Sequence, residues 1–117
     1  MKLRGPADLW QAWVWSYKGL RAALKYEAAF RSEVVGAIIA IPVGLWLGET
    51  NVERALLVGC VLVVLIVEML NSAIETTVDR VGKDHHKLSG RAKDMGSGAV
   101  FLSLVLAAVT WAIILFT

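Results

Sequence analysis

Glu68, Asn71, Glu75 and Asp79 recur at spacings of three and four. At about 100° per residue they share one stripe of one helix, so carboxylates and an amide look out from the same face. The run leading into them, Ala55-Leu-Leu-Val-Gly-Cys-Val-Leu-Val-Val-Leu-Ile-Val67, is wholly apolar. Ionisable side chains at membrane depth cost about 2.5 to 3.5 kcal/mol each on insertion scales and mark functional sites. Beyond the stripe, Gly82-Lys-Asp-His-His-Lys-Leu-Ser-Gly-Arg-Ala-Lys-Asp-Met-Gly-Ser97 offers Lys83, Lys87, Arg91 and Lys93 to anionic oxygens, and Gly90 and Gly96 for close backbone approach. It contains neither a Walker lysine motif nor a dinucleotide fingerprint. By composition it is a basic loop on the positive side of a membrane. Directly after carboxylates able to bind Mg²⁺, it becomes the apparatus of phosphoryl transfer.

The elements that must position these residues are membrane helices. The chain has 117 residues, 57% of them hydrophobic, and a mean hydropathy of +0.63, too apolar for a soluble domain of this size and too short for a second domain. It reads as a single all-α integral-membrane domain over 1–117, with membrane helices at about 28–48, 53–81 and 92–116. The first apolar run, Val34 to Leu47, has only 14 residues, so its helix must extend back through Ala28-Ala29-Phe30 to span hydrocarbon. Pro42 inside it is tolerable where neighbouring helices satisfy the freed carbonyl. Ala99 to Phe116 is an uncharged run of 18 residues.

Residues 1–31 have no uninterrupted apolar core and no small-residue cleavage site, so a signal peptide is not expected. Instead Trp10, Trp13, Tyr17, Leu20 and Leu24 alternate with a basic stripe of Lys18, Arg21 and Lys25, predicting an amphipathic surface helix over about 7–26. Indoles prefer the headgroup level, which strengthens that expectation. Met1 to Glu33 carries six Lys/Arg, Gly48 to Arg54 one, and Arg80 to Asp94 five. The amino terminus and the second loop are therefore expected in the cytoplasm and the carboxyl terminus outside, with Trp46 and Trp111 as anchors at the outer interface. Three helices cannot enclose so long a polar face alone, so a homo-oligomer is expected, with Gly96, Gly98, Ala99, Ser103, Ala107 and Ala108 allowing close packing. The lone Cys60 sits in the apolar helix and reads as a small hydrophobe.

Glu68-Met-Leu-Asn-Ser-Ala-Ile-Glu75, Val78-Asp-Arg80 and Leu88-Ser-Gly-Arg-Ala-Lys-Asp-Met-Gly-Ser97 closely resemble the small prokaryotic integral-membrane diacylglycerol kinase family. Lys18-Gly-Leu-Arg-Ala-Ala23 and Glu27-Ala-Ala-Phe-Arg31 extend the resemblance over nearly the whole chain. It implies a homotrimer of subunits with three transmembrane helices and a surface helix, in the bacterial inner membrane, with active sites shared between subunits. It implies transfer of the ATP γ-phosphoryl group to the hydroxyl of diacylglycerol, giving phosphatidic acid, with Mg²⁺ as cofactor.

The resemblance also implies roles. Glu68 matches the catalytic base, a task that suits a carboxylate withdrawn from water, and Asn71 orients the base region. Glu27 and Glu75 match the carboxylates that hold magnesium beside the nucleotide. Being 48 positions apart, they can meet only if the surface helix folds over the inner end of the bundle or reaches a neighbouring subunit. Lys93 matches a contact to the phosphates and Asp94 one to the nucleoside, with Asp79, Asp84 and His86 as further nucleotide contacts. Ser16, Ala29, Phe30, Arg31 and Glu33 frame the lipid site around Glu68.

Aligned without gaps from Lys18-Gly-Leu-Arg21, this chain has Asp8 where a family member has arginine, and Trp15 where it has tyrosine. That arginine's contact with nucleotide and lipid does not carry onto Asp8; Arg4 is a candidate replacement, and Trp15 can still stack without supplying a hydroxyl. The pair His85-His86 lacks the further ligands of a transition-metal site. Undecaprenol kinase is the alternative activity, from a family sharing the overall pattern. A proton or ion pathway is a remoter one, which leaves the basic loop unexplained. A net charge of +2 disfavours nucleic-acid binding.

Overall fold

A computed structural model describes residues 5–82 and 86–117, apart from the Ala7 side chain. Four helices follow one another: α1 (Pro6–Tyr26), α2 (Ala28–Leu47), α3 (Asn51–Val81) and α4 (Lys87–Phe116). The last three are long and apolar enough to cross a membrane. α2 does begin at Ala28, which brings it to spanning length. α3 has 31 residues, about 46 Å at 1.5 Å per residue, well beyond a hydrocarbon core of about 30 Å.

The corners are short because side chains close them. α1 starts with proline in its first turn and Asp8 close behind, as an exposed helix start favours. Only Glu27, in extended conformation, separates α1 from α2. Arg31 then reaches back, its Nη1 donating to the carbonyls of Leu24 and Lys25 at 3.0 Å each, and satisfies acceptors that the end of α1 leaves open. Arg54 treats the end of α2 alike: its Nε donates to the Leu45 carbonyl at 3.2 Å. Gly48 makes room for this, since a Cβ there would lie 2.6 Å from Arg54 Cγ. α3 opens on Thr50, whose hydroxyl accepts from the Glu53 amide at 3.1 Å, while the Glu53 carboxylate accepts from the Glu49 amide at 2.9 Å. Thr50 and Glu53 thus satisfy one amide inside the first turn of α3 and one just ahead of its cap.

α3 is the central element, packed against both α4 and α2, while α1 touches α2 more lightly. Its seam is Leu57, Cys60, Val64, Glu68 and Ser72, all buried. α4 runs antiparallel to it, and its own buried residues are Gly96 and Ser103. Contacts along this hairpin keep one register: Trp111 against Leu57, Gly96 against Asn71, and Lys93 against Asp79.

Two differences from the sequence reading have clear causes. Residues 87–91, expected in the loop, are the first turn of α4, because the His86 side chain accepts from the Leu88 amide at 3.0 Å and caps the helix early. Trp111, expected to anchor at the interface, is turned inward. Its Nε1 donates to the Leu57 carbonyl at 3.2 Å, and its ring covers Gly44, where a Cβ would stand 3.4 Å from Cζ2. Trp46, in contrast, is 81% exposed, as an anchor would be. Cys60 is buried, its thiol donating to the same Leu57 carbonyl at 3.3 Å.

Trp111→Phe keeps an aromatic ring but removes the donor, so thermal unfolding in detergent should show a loss of about 0.6 to 1.7 kcal/mol, the range of hydrogen bonds between membrane helices. Trp46→Phe should leave the same transition in place.

Candidate active site

α3 and the start of α4 bring most of the chemistry together. Glu68 is 6% exposed, and the charges that act on it are Glu33 of α2 and Glu75 one helical stretch further along α3. Seventeen positions beyond the start of α3, it lies about 26 Å along the helix axis. Asn71 sits between the two glutamates on the stripe. Its Nδ2 donates to Glu75 Oε1 at 3.3 Å, so the hydrogen bond in the structure braces Glu75. Its Oδ1 is fully buried and finds no partner among the described residues.

One turn and more beyond, Asp79 meets α4. Lys93 Nζ donates to Asp79 Oδ1 at 2.8 Å, with both side chains nearly half exposed. Such an open ion pair is screened by water and contributes little, so it positions the ammonium without holding it against a stronger anion. At the start of α4, His86, Lys87, Gly90, Arg91, Asp94 and Met95 line an open concavity of about 540 Å³. His86 and Asp94 therefore share a surface with two cations at a helix N-terminus, an arrangement suited to an anionic ligand. Asp84, like Lys83, His85 and Arg4, lies outside the described residues.

Glu27 stands apart from this stripe within one chain. It lines a cavity of about 490 Å³ with Ala23 and Tyr26 of α1 and with Met69, Ser72, Ala73 and Thr76 of α3. That face is turned roughly 100° from the one that carries Glu68 and Glu75. Phe30 is buried, and lines an apolar crevice of about 240 Å³ with Leu20, Leu65, Ile66, Met69 and Leu70. Ala29 is exposed and Glu33 half-buried. Arg31, placed at the lipid site from sequence, is engaged in capping α1. The Ser16 hydroxyl donates to the Ala12 carbonyl of its own helix at 2.8 Å, which accounts for it as a helix residue satisfying itself.

Among the described residues no three His, Cys, Asp or Glu side chains converge as a metal cage. Mg²⁺ needs none, since it is commonly held by one or two carboxylates, waters and substrate phosphates. The braced, half-buried Glu75 supplies the hard oxygen donors that such a site requires.

Gly96 is the residue whose part the sequence hid. It is buried against Asn71, and a Cβ there would overlap Asn71 Oδ1 and stand 3.3 Å from its Cγ. Its glycine identity was visible as packing or phosphate approach; only the antiparallel register of α3 and α4 reveals the partner.

Residues 14–115 match the model of the family described as prokaryotic diacylglycerol kinase. The chain is 52% identical over 103 residues to a diacylglycerol kinase of Escherichia coli K12, covering 88% of this chain and 84% of that one. It is 47% identical over 115 residues to a diacylglycerol kinase of Haemophilus influenzae, covering 98% of both. To a diacylglycerol kinase of Pseudomonas aeruginosa it is 52% identical over 101 residues, covering 86% and 82%. A stripe of acids on a membrane helix, a basic helix start beside it and a match along nearly the whole length converge on one conclusion: the chain belongs to the prokaryotic diacylglycerol kinase family.

Proposed function

We propose that this protein transfers the γ-phosphoryl group of ATP to the free hydroxyl of diacylglycerol, forming phosphatidic acid, at the cytoplasmic face of a bacterial inner membrane. The observation that carries this reading is the buried Glu68 on a membrane-spanning helix whose polar stripe continues to the Asp79–Lys93 pair. One rod thereby joins lipid depth to the basic surface where a soluble nucleotide would arrive. The acceptor oxygen forms its bond to γ-phosphorus as the bond to the β-γ bridging oxygen breaks, and the hydroxyl proton passes to Glu68. Lys93 exchanges Asp79 for phosphate oxygens, and Asp94 and His86 face the nucleoside. Glu27 and Glu75 would hold Mg²⁺, which when bound offsets charge on the transferring group. Asn71 keeps the Glu75 carboxylate turned to that task.

The assembly we propose is a homotrimer with shared sites. Glu27 and Glu75 lie on different faces of one chain, so an adjacent subunit's Glu27 is the natural complement to Glu75. α1 is proposed to lie in the membrane interface, amino terminus inside: its Trp10 and Trp13 are exposed, with no soluble core to cover them. A lipid acceptor can then approach laterally, with Phe30, Ala29 and Glu33 near its path.

Mixed-micelle assays with ATP and Mg²⁺ should yield phosphatidic acid from diacylglycerol in preference to undecaprenyl phosphate from undecaprenol. Glu68→Gln should lower kcat by about 10²- to 10⁴-fold, the usual weight of a positioned base; retention of activity would remove Glu68 from that role, and preference for the polyprenol would change the substrate.

Glu75→Gln should raise the Mg²⁺ concentration for half-maximal rate by about 10-fold or more, and excess chelator should abolish transfer. Lys93→Met should act chiefly on the KM for ATP, raising it by about 10-fold, and leave unfolding unchanged because its pair with Asp79 is solvated.

A further inference from the structure

We propose that Gly96 is a positioning residue for this kinase: its bare Cα leaves the space in which the Asn71 amide can take the orientation that braces Glu75. The inference deepens the kinase reading and rests on it for its catalytic consequence.

Asn71 has two ways to present its amide. In the structure Nδ2 faces Glu75 Oε1 at 3.3 Å; reversed, the amide oxygen would face a carboxylate and repel it. The donor side is therefore settled by Glu75, and Oδ1 must point the other way, into α4. There it is fully buried without a hydrogen-bond partner among the described residues, and the backbone it meets is that of Gly96. A Cβ at this position would overlap Oδ1 and crowd Cγ to 3.3 Å. Both atoms belong to a short side chain on a rigid helix, so relief requires the amide to turn or α4 to move out. Turning the amide withdraws Nδ2 from Glu75, its neighbour on α3; moving α4 instead removes the surface that backs the amide. The same shift reaches Lys93 and Asp94, less than one turn before Gly96 on α4. Gly98, two positions on, has nothing within 4 Å of the place its Cβ would take, so closeness at 96 is not a general property of this stretch.

Gly96→Ala separates positioning from packing when it is placed in both the wild-type and the Asn71→Ala background. In the wild-type background kcat for diacylglycerol phosphorylation should fall by about 10- to 100-fold, as small misplacements do, and the Mg²⁺ half-saturation should rise. In Asn71→Ala, where the obstructed amide is gone, Gly96→Ala should change kcat by less than about 2-fold. In protein free of Mg²⁺ and nucleotide, the ¹⁵N side-chain amide resonance of Asn71 should move in Gly96→Ala and stay in place in Gly98→Ala. The chain's other asparagine, Asn51, gives the internal reference. Equal losses in the two backgrounds, or an unmoved Asn71 resonance, would overturn the proposal. If Gly96→Ala does not fold alone, the double variant must fold as Asn71→Ala does; failure of the double as well overturns it. A wild-type protein that makes no phosphatidic acid would sink the kinase reading, while the resonance shift would still decide the Gly96–Asn71 contact.

Discussion

The structure depends on covering a carboxylate at membrane depth. An uncovered glutamate in hydrocarbon costs a few kcal/mol and finds no solvent to hydrate it, yet Glu68 lies inside the bundle, on the α3 seam with Leu57, Cys60, Val64 and Ser72. To shield that seam, α2 and α4 must both lie against α3, which explains why the helix that carries the acidic stripe is the middle one of the three long apolar helices. The antiparallel register of α3 and α4 follows from the same need. Polar groups at one end pair or abut, Asp79 with Lys93 and Asn71 with Gly96, while the other end is closed by Trp111 on the Leu57 carbonyl.

The corners carry a second regularity. Arg31 and Arg54 each follow a sharp break between helices and each turn back to bond carbonyls of the helix just ended. In a membrane, open carbonyls are costly, and a guanidinium has enough donors to satisfy several from one side chain. The chain can therefore reverse direction in a few residues, without long loops that would expose backbone.

Much of this was legible because it rests on periodicity and composition. The 3.6-residue repeat puts Glu68, Asn71, Glu75 and Asp79 on one face, and the shortness of the run from Val34 requires the extension to Ala28 that α2 makes. What was illegible depends on tertiary register. Nothing local tells that Trp111 bonds a carbonyl 54 residues away, or that Lys93 lies beside Asp79 before any phosphate arrives. The resemblance places Arg31 beside a lipid site, but that it also caps the carbonyls of Leu24 and Lys25 depends on the direction of a helix end that local sequence does not give. Gly96 shows the limit most plainly: a glycine announces only that space is scarce, and its neighbour must be seen to know what the space is for.

The length of α3 makes it a ruler. Glu68 and Asp79 are eleven positions apart on one unbroken helix, hence about 16 Å along its axis, and neither can approach the other by bending a loop. In the proposed orientation the lipid hydroxyl rests at a depth set by the bilayer, while the nucleotide rests at a depth set by the protein. Membrane thickness then enters the rate as a mechanical variable, since a thinner or thicker bilayer slides the acceptor along a scale whose marks do not move.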